Sequence, residues 1–328
     1  MRRILVLFWL ASAAMAGSFG TSSVPANAAI PSRIDEVLHW LPVDSETIIV
    51  ANGPFKIEKA NESFRFQAAV QSLPLGILQE LLPKELVGKD VSLAVEGSRC
   101  FRSPHGLGMM PYQGCQVVVF DKGTASVLST AMQVLLRKSR RTIEISGKRV
   151  AVFEEKWEND NWTLYVTQPR PEILLCATHD GYLKEVLDRM EGASSKRAMP
   201  EDLPEWRYVD TKSRVWAVRH YSKAEAARDP SSPLREEAAA NIPDVGAIGV
   251  TFSYNADGNL ATVRYLTHAK NAIAIAREAW YMPTEKLEPK IREVETGVVE
   301  IALAVDKNDV GRSFLFVLMA LLGHAVYV

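Results

Sequence analysis

The chain has 328 residues, of which 47% are hydrophobic and 23% are charged, and its formal net charge at pH 7 is −1. This composition is typical of globular proteins, and the length allows one large domain or two smaller ones. Because nucleic-acid-binding proteins need a basic surface that neutralises phosphates, the balanced charge argues against nucleic acid as a partner.

The first 28 residues have the pattern of a secretory signal peptide. Arg2 and Arg3 precede an uncharged, largely apolar run over residues 4–17, and Ala26 and Ala28 form an A-x-A cleavage site. The run has about 14 residues, whereas a helix needs roughly 20 to span a bilayer, so we expect cleavage after Ala28. The pattern predicts export to the periplasm or the extracellular medium. Anchoring in the membrane is the alternative if the leader is retained.

Residues 29–195 have the pattern of an N-terminal α+β half. Ser32 is the expected cap of the first helix, and Gly147 and Lys148 are the expected two-residue turn of a hairpin. Apolar periodicity predicts helices over 32–41, 57–70, 75–82, 124–137 and 180–190, and strands over 47–51, 92–95, 116–120, 142–146, 149–153, 162–167 and 172–177.

A segment rich in Ser, Pro and charge, residues 192–205, marks the expected boundary before a C-terminal α+β half over 205–328. This half is predicted to contain strands over 214–221, 246–254, 259–267 and 298–305 and helices over 271–281 and 310–326. Each half has a hairpin that ends in Thr-His before a helix, with His179 in one and His268 in the other. We therefore predict an α+β fold of two related halves with antiparallel sheets and flanking helices, in one domain or two.

The three cysteines have different expected roles. Cys100 and Cys115 flank a Gly/Pro-rich connection between two predicted strands, so in an exported chain they are expected to form a disulfide at the open end of a hairpin. Closing a loop of about 15 residues would contribute around 3 kcal/mol in the chain-entropy model. Cys176 lies inside a continuous apolar run and is expected to be a buried thiol.

The connection over residues 101–114 is the most distinctive candidate for a binding segment. It is long for a hairpin loop and carries apolar side chains where turns are usually polar. Methionine-rich surfaces adapt to varied partners. The candidate binding residues are Phe101, His105, Leu107, Met109, Met110 and Tyr112. The alternative is that these side chains fold back over the core.

A histidine-based hydrolytic site is the alternative function, with His179, His220 and His268 as candidates. Each stands at the end of a predicted strand, where capping and turn roles are common. The sequence lacks the motifs of serine hydrolases, β-lactamases, zinc proteases, P-loop proteins and C-x-x-C redox proteins. We therefore expect no catalytic residues, cofactor or metal site, and regard enzymatic activity as the weaker hypothesis.

The segment over 314–328 is apolar all round, which favours a buried helix over a membrane span. Docking onto a partner or a membrane surface is its second interpretation.

Residues Leu41, Pro42, Val43 and Asp44 lead into the first predicted strand of the mature chain. With the leader and the helix followed by paired hairpins, this entry resembles exported bacterial proteins of unknown function. Those proteins begin their mature region with leucine-proline-x-aspartate and repeat an α+β unit. The resemblance implies a bacterial cell-envelope setting and transfers no catalytic residues. We expect a non-enzymatic binding or structural module whose partner is a protein or envelope component.

Overall fold

In the computed structural model, an antiparallel β-sheet with flanking helices forms the fold. The structure describes residues 30–56, 83–99, 113–157, 160–192, 196–220, 247–255, 260–267, 270–279 and 289–304. The strands are β1 (Thr47–Lys56), β2 (Asp90–Arg99), β3 (Gln113–Phe120), β4 (Arg141–Ile145), β5 (Lys148–Trp157), β6 (Asp160–Arg170), β7 (Ile173–Ala177), β8 (Val215–His220), β9 (Ala247–Asn255), β10 (Leu260–Thr267), β11 (Lys290–Glu295) and β12 (Val298–Ala304).

The helices of the described residues lie between these strands. They are α1 (Ser32–Trp40), α2 (Ala125–Lys138), α3 (Asp180–Met190) and α4 (Ala272–Ala279), with short 3₁₀ helices at Lys84–Leu86, Lys122–Thr124 and Pro204–Tyr208. The α+β class expected from the sequence is confirmed. The predicted helices over 57–70, 75–82 and 310–326 lie outside the described residues.

All the described strands belong to one sheet, in the order β11-β12-β10-β9-β8-β1-β2-β3-β7-β6-β5-β4. The two halves meet where β1 and β8 pair antiparallel, from Thr47 opposite Arg219 to Ala51 opposite Val215. The sequence predicted sheets in two halves, and the structure instead joins them into one. Since β1 and β8 are buried apolar strands, pairing along both of their edges satisfies backbone groups that an edge would leave open.

Helices cover the two faces of the sheet on the side that contains β1 to β7. On the α1 face, side chains of α1 and α3 form one core with alternate residues of the central strands, with Leu38 and Val95 among its members. On the opposite face, α2 packs through Leu128 and Leu135 against Val118 and the residues around it. Leu38 and Leu135 are fully buried, and burying one leucine side chain stabilises a fold by about 1.5–3 kcal/mol.

Local signals in the sequence differ from the structure at a few positions. Pro31, not Ser32, is the N-cap of α1, and no side chain caps that helix. The β4–β5 turn is formed by Ser146 and Gly147, with φ of 49° and 70°, rather than by Gly147 and Lys148. These angles fit the two-residue turn that matches strand twist. Strand β11 was not predicted, because its charged sequence at a sheet edge has no apolar face to reveal it.

Candidate functional site

One end of the sheet brings together the described residues nearest to the predicted sites. At this end, called the Arg99 end, β2 ends at Arg99, β3 begins at Gln113, β7 ends at Ala177 and β8 ends at His220. The predicted binding loop connects β2 to β3 here. Antiparallel pairing places these strand ends together, although they are far apart in sequence.

Arg99 ties the base of the β2–β3 hairpin to two other elements. Its Nε donates to Oδ1 of Asp44, before β1, over 2.6 Å, and its Nη2 lies 2.6 Å from Oε2 of Glu185 on α3. Nη1 also donates to Oε1 of Gln113 over 3.3 Å, and the guanidinium carbon lies 5.1 Å from the ring centroid of Tyr182. The Arg99 side chain is 15% exposed, so these contacts hold the hairpin end in one geometry.

The electrostatics of this cluster favour a permanent cation at Arg99. Burial lowers the pKa of Arg99, but hydrogen bonds and charge from Glu185 and Asp44 outweigh it, and the net shift is upward. Beneath Arg99, the hydroxyls of Tyr182 and Ser45 lie 2.7 Å apart, and burial raises the pKa of Tyr182. Arg99 therefore keeps its positive charge across the neutral pH range.

His220 pairs with a carboxylate that the sequence does not place near it. Nδ1 of His220 lies 2.7 Å from Oε1 of Glu205, in the 3₁₀ helix Pro204–Tyr208. The Glu205 side chain is 0% exposed and the His220 side chain 29% exposed. An ionised carboxylate can only accept, so with Glu205 ionised the bond is donated by Nδ1 of His220.

Gly249 makes room for this pair. It lies opposite His220 on β9, and a Cβ at this position would come within 2.6 Å of Cδ of Glu205 and closer still to its Oε1. Real Cβ atoms do not approach other heavy atoms below 3.0 Å. The absence of a side chain at Gly249 is thus what leaves room for the Glu205 side chain beside His220.

A buried ionic network continues from this place across the C-terminal strands. Glu300 on β12, 2% exposed, accepts from Nε of Arg264 over 2.8 Å and from Nη2 of Arg292 over 2.7 Å. Arg264 also donates to the backbone oxygen of Tyr208 over 2.7 Å, which connects β10 to the 3₁₀ helix carrying Glu205. Since each charge is paired, the network positions the segment that presents Glu205.

Of the other two predicted histidines, the structure describes His179, which does not lie beside His220. The ring Nδ1 of His179 accepts from the backbone N of Gly181 over 3.1 Å and makes His179 the N-cap of α3. His179 follows β7, four strand positions from β8, which is about 19 Å at the usual strand spacing. His268 lies outside the described residues, as do the loop residues Phe101, His105, Leu107, Met109, Met110 and Tyr112.

The structure shows no disulfide among the described residues. Cys115 is a free buried thiol opposite Gly97, and Cys100 lies outside the described residues. Cys176 is also free and buried, as predicted. Cys115 belongs to the core of the α1 face and Cys176 to the core of the opposite face, and burial raises the pKa of both thiols.

The described residues offer neither a metal site nor a membrane-spanning helix. No group of three or more His, Cys, Asp or Glu side chains that could hold a metal occurs among them. Among the same residues, no helix has the length and apolarity needed to cross a membrane.

Sequence reasoning missed Glu205, Arg264 and Glu300. A signal existed for the last two, because Arg264 and Glu300 stand at inward positions of otherwise apolar strands. A charge at such a position usually has a buried partner of opposite sign. Glu205 had no such signal, since it lies in the polar segment that was predicted to be a boundary.

No protein-family model matches the chain, and no curated protein matches it. Among solved structures, three crystal forms of the Treponema protein TP0453 are weakly similar. Form I has a TM-score of 0.45 at 9% identity, covering 86% of this chain and 96% of that one. Forms III and IV have TM-scores of 0.42 and 0.41, identities of 10% and 7%, and cover 85% of this chain and 96% and 95% of theirs.

Proposed function

We propose that the protein is an exported component of a bacterial cell envelope that acts as a non-enzymatic binding module. Its binding segment is the predicted 101–114 loop, whose last two residues, Gln113 and Gly114, belong to β3, and its partner is another protein or envelope component. The leader over residues 1–28 supports export to the periplasm or the extracellular medium. Membrane contact through a retained leader or the C-terminal segment belongs to the same proposal.

The Arg99 cluster is the observation that carries this proposal. Arg99 and Gln113 are the last described residues on either side of the loop, and Arg99 binds both Gln113 and the neighbouring acids Asp44 and Glu185. A loop whose two ends are fixed loses less conformational entropy when it binds a partner. Functional loops on rigid sheets commonly have such a base.

The loop sequence fits recognition of an apolar partner surface. Met109 and Met110 have flexible, polarizable side chains that adapt to irregular surfaces, and Tyr112 and Phe101 provide large contact areas. Glycines at positions 106 and 108 give the backbone freedom to adjust.

Site-specific crosslinking in the producing cell tests the loop. A photoreactive amino acid at Leu107 should give a discrete adduct with the partner, whereas the same group at Ser129, an exposed position on α2, should not. Deleting residues 103–112 should abolish co-purification of the partner found in the adduct while leaving the unfolding midpoint unchanged. Identical products from positions 107 and 129, or unchanged co-purification after the deletion, would contradict the proposal.

Export is tested on the same cells. Fractionation should place the mature protein outside the cytoplasm, and sequencing should find Ala29 as its first residue. A cytoplasmic protein that keeps Met1 would rule out this part of the proposal.

A hydrolase is the second candidate function. The Glu205–His220 pair makes His220 the best-supported site for it among the three predicted histidines. A buried carboxylate that fixes one ring nitrogen leaves the other able to accept a proton from a nucleophile. Purified mature protein should then turn over an ester, peptide or phosphoester substrate. His220→Asn should abolish this activity, and Glu205→Gln should reduce it. Absence of turnover across the panel, or unchanged turnover in His220→Asn, would remove this candidate.

We also propose that the two halves derive from one repeated unit. In the first, β1, β2 and β3 form a meander, α2 follows, and β7 returns beside β3. In the second, β8, β9 and β10 form a meander, α4 follows, and β12 returns beside β10. An experimental structure tests this idea by superposition of the two sets of four strands, β1, β2, β3 and β7 on β8, β9, β10 and β12. After superposition, α2 and α4 should lie on the same face of the sheet. Opposite faces would contradict it.

A further inference from the structure

The centre of the sheet contains a buried acid that belongs to neither proposed site. Glu96 stands in the middle of β2 and is 3% exposed. Its direct neighbours across the sheet are Ile49 on β1 and Gln116 on β3, which is 2% exposed. The pairing of β2 with β3 places Glu96 and Gln116 side by side on one face of the sheet. Helix α2 packs on the same face, against residues such as Val118 and Phe120 further along β3.

Each of these two side chains has an oxygen without a hydrogen-bond partner. The atoms are Oε2 of Glu96 and Oε1 of Gln116, and both are buried. An ionised carboxylate and an amide oxygen are both acceptors, so they cannot satisfy each other. If the carboxyl is protonated, it becomes a donor, and one proton satisfies both atoms. Directly opposite residues have Cβ atoms about 5 Å apart, which brings their side-chain ends within reach.

We propose that Glu96 is a protonated acid that donates a hydrogen bond to Gln116, and that this bond is a pH-dependent latch between β2 and β3. Deprotonation turns the donor into a second acceptor and leaves an unpaired charge in the core. The latch therefore makes the central hairpin less stable as the pH rises from acid to mildly alkaline values. It does not depend on the binding or hydrolytic proposals, because it acts through the stability of the sheet.

The surroundings of Glu96 favour the neutral acid. Burial is the cause that raises the pKa of Glu96, from its ordinary value of 4.5 to about 8. The nearest groups on this face are Ser98 and Ala94 of β2, Thr47 of β1 and Val118 of β3, none of which titrates at these pH values. Among the described residues, the charged side chain of this region is Arg219 of β8, opposite Thr47 and two strands away. The Cys176 thiol of β7 lies directly opposite Gln116 on the same face, whereas the Cys115 thiol, next to Gln116 along β3, lies on the opposite face; burial raises the pKa of both thiols.

The sign of the pH effect follows from linkage. The folded state holds a proton that the unfolded state has released between pH 4.5 and about 8. Protonation linkage therefore lowers the folding equilibrium constant by up to tenfold per pH unit in this window, with no further loss from this group above it.

Denaturant unfolding of wild type and Glu96→Gln from pH 5 to 9.5 tests the latch. The amide introduced by Glu96→Gln donates a hydrogen bond at every pH. The folding equilibrium constant of wild type divided by that of the variant should therefore fall about tenfold per pH unit up to pH 8 and then level off. Taking the ratio removes the contribution of all other titrating groups. A ratio that is constant with pH overturns the proposal.

Infrared spectroscopy gives a second measurement that does not depend on a Glu96 variant. Wild-type protein at pH 6.5 should show the carbonyl stretch of a protonated carboxylic acid, which disappears as the pH passes about 8. Gln116→Leu should shift this band, because its acceptor is lost, whereas Gln133→Leu at an exposed position on α2 should not. Absence of the band in wild type, or a band unaffected by Gln116→Leu, also overturns the proposal.

Discussion

Substitution of Gly249 by alanine is expected to expel Glu205 from its place beside His220. The new Cβ would lie 2.5 Å from Cγ and 2.6 Å from Cδ of Glu205, well inside van der Waals contact. Glu205 is fully buried, so it cannot swing into solvent without losing its 2.7 Å hydrogen bond to Nδ1 of His220. Either the strand or the carboxylate must move.

The size of the effect follows from these two routes. Overpacking a filled site costs about 1–3 kcal/mol, and leaving a buried carboxylate without its hydrogen-bond partner costs about 3 kcal/mol or more. The chain takes the cheaper route, so we expect Gly249→Ala to lower the free energy of unfolding by about 2–3 kcal/mol. Guanidinium denaturation measures this loss.

Two comparisons make the measurement specific. Gly123→Ala places a Cβ with no atom within 4 Å, so its free energy of unfolding should stay within about 0.5 kcal/mol of wild type. In a Glu205→Ala background the clash is absent, and Gly249→Ala should cost less than about 1 kcal/mol. An equal cost of Gly249→Ala in both backgrounds would refute the reasoning, as would a cost below about 1 kcal/mol in wild type.

Three further predictions concern other described residues. Glu300→Gln removes a buried charge bonded to Arg264 and Arg292, so urea denaturation should show a loss of about 3 kcal/mol in the free energy of unfolding. Asp188→Asn breaks an exposed ion pair with Lys184 and should cost under about 1 kcal/mol. Equal losses in the two variants would contradict this prediction. Cys100→Ser removes the third cysteine, so labelling then reports on Cys115 and Cys176 alone. Both thiols should react with a thiol reagent at pH 8 only after the protein unfolds, since burial raises the pKa of each. Rapid labelling of the folded protein would contradict this prediction. Lysine in Arg99→Lys cannot reproduce the forked contacts to Asp44 and Glu185. Limited proteolysis should therefore cut residues 100–112 faster than in wild type, while the circular dichroism spectrum stays unchanged. An unchanged cutting rate would show that Arg99 does not fix the base of the loop.

Local patterns were enough to predict many elements of this fold. Helix α3 begins at Asp180 and ends at Met190 as its apolar periodicity indicates, and strands β9 and β10 pair antiparallel as the sequence predicts. These elements depend on residues that are close in sequence. The charged strand β11 depends on its neighbour β12 instead, and the chain gave no local sign of it.

The arrangement of the sites depends on contacts that sequence spacing does not reveal. The partner of His220 is Glu205, on a different element, and the position of both depends on Gly249, a third. Arg99 likewise meets Asp44 and Glu185 only because the sheet and α3 bring them together. Motif spacing carries no information about such convergence, so His220 was predicted without its carboxylate.

The pairing of β1 with β8 also has a consequence for how the chain reaches this state. Thr47 is opposite Arg219, so about 170 residues must be synthesised between one strand and the partner on its second edge. Until β8 has emerged, the apolar strand β1 has one open edge, to which a strand of another molecule could add. Folding of the sheet centre must therefore wait for the C-terminal half, and the incomplete chain passes through an interval in which aggregation competes with folding.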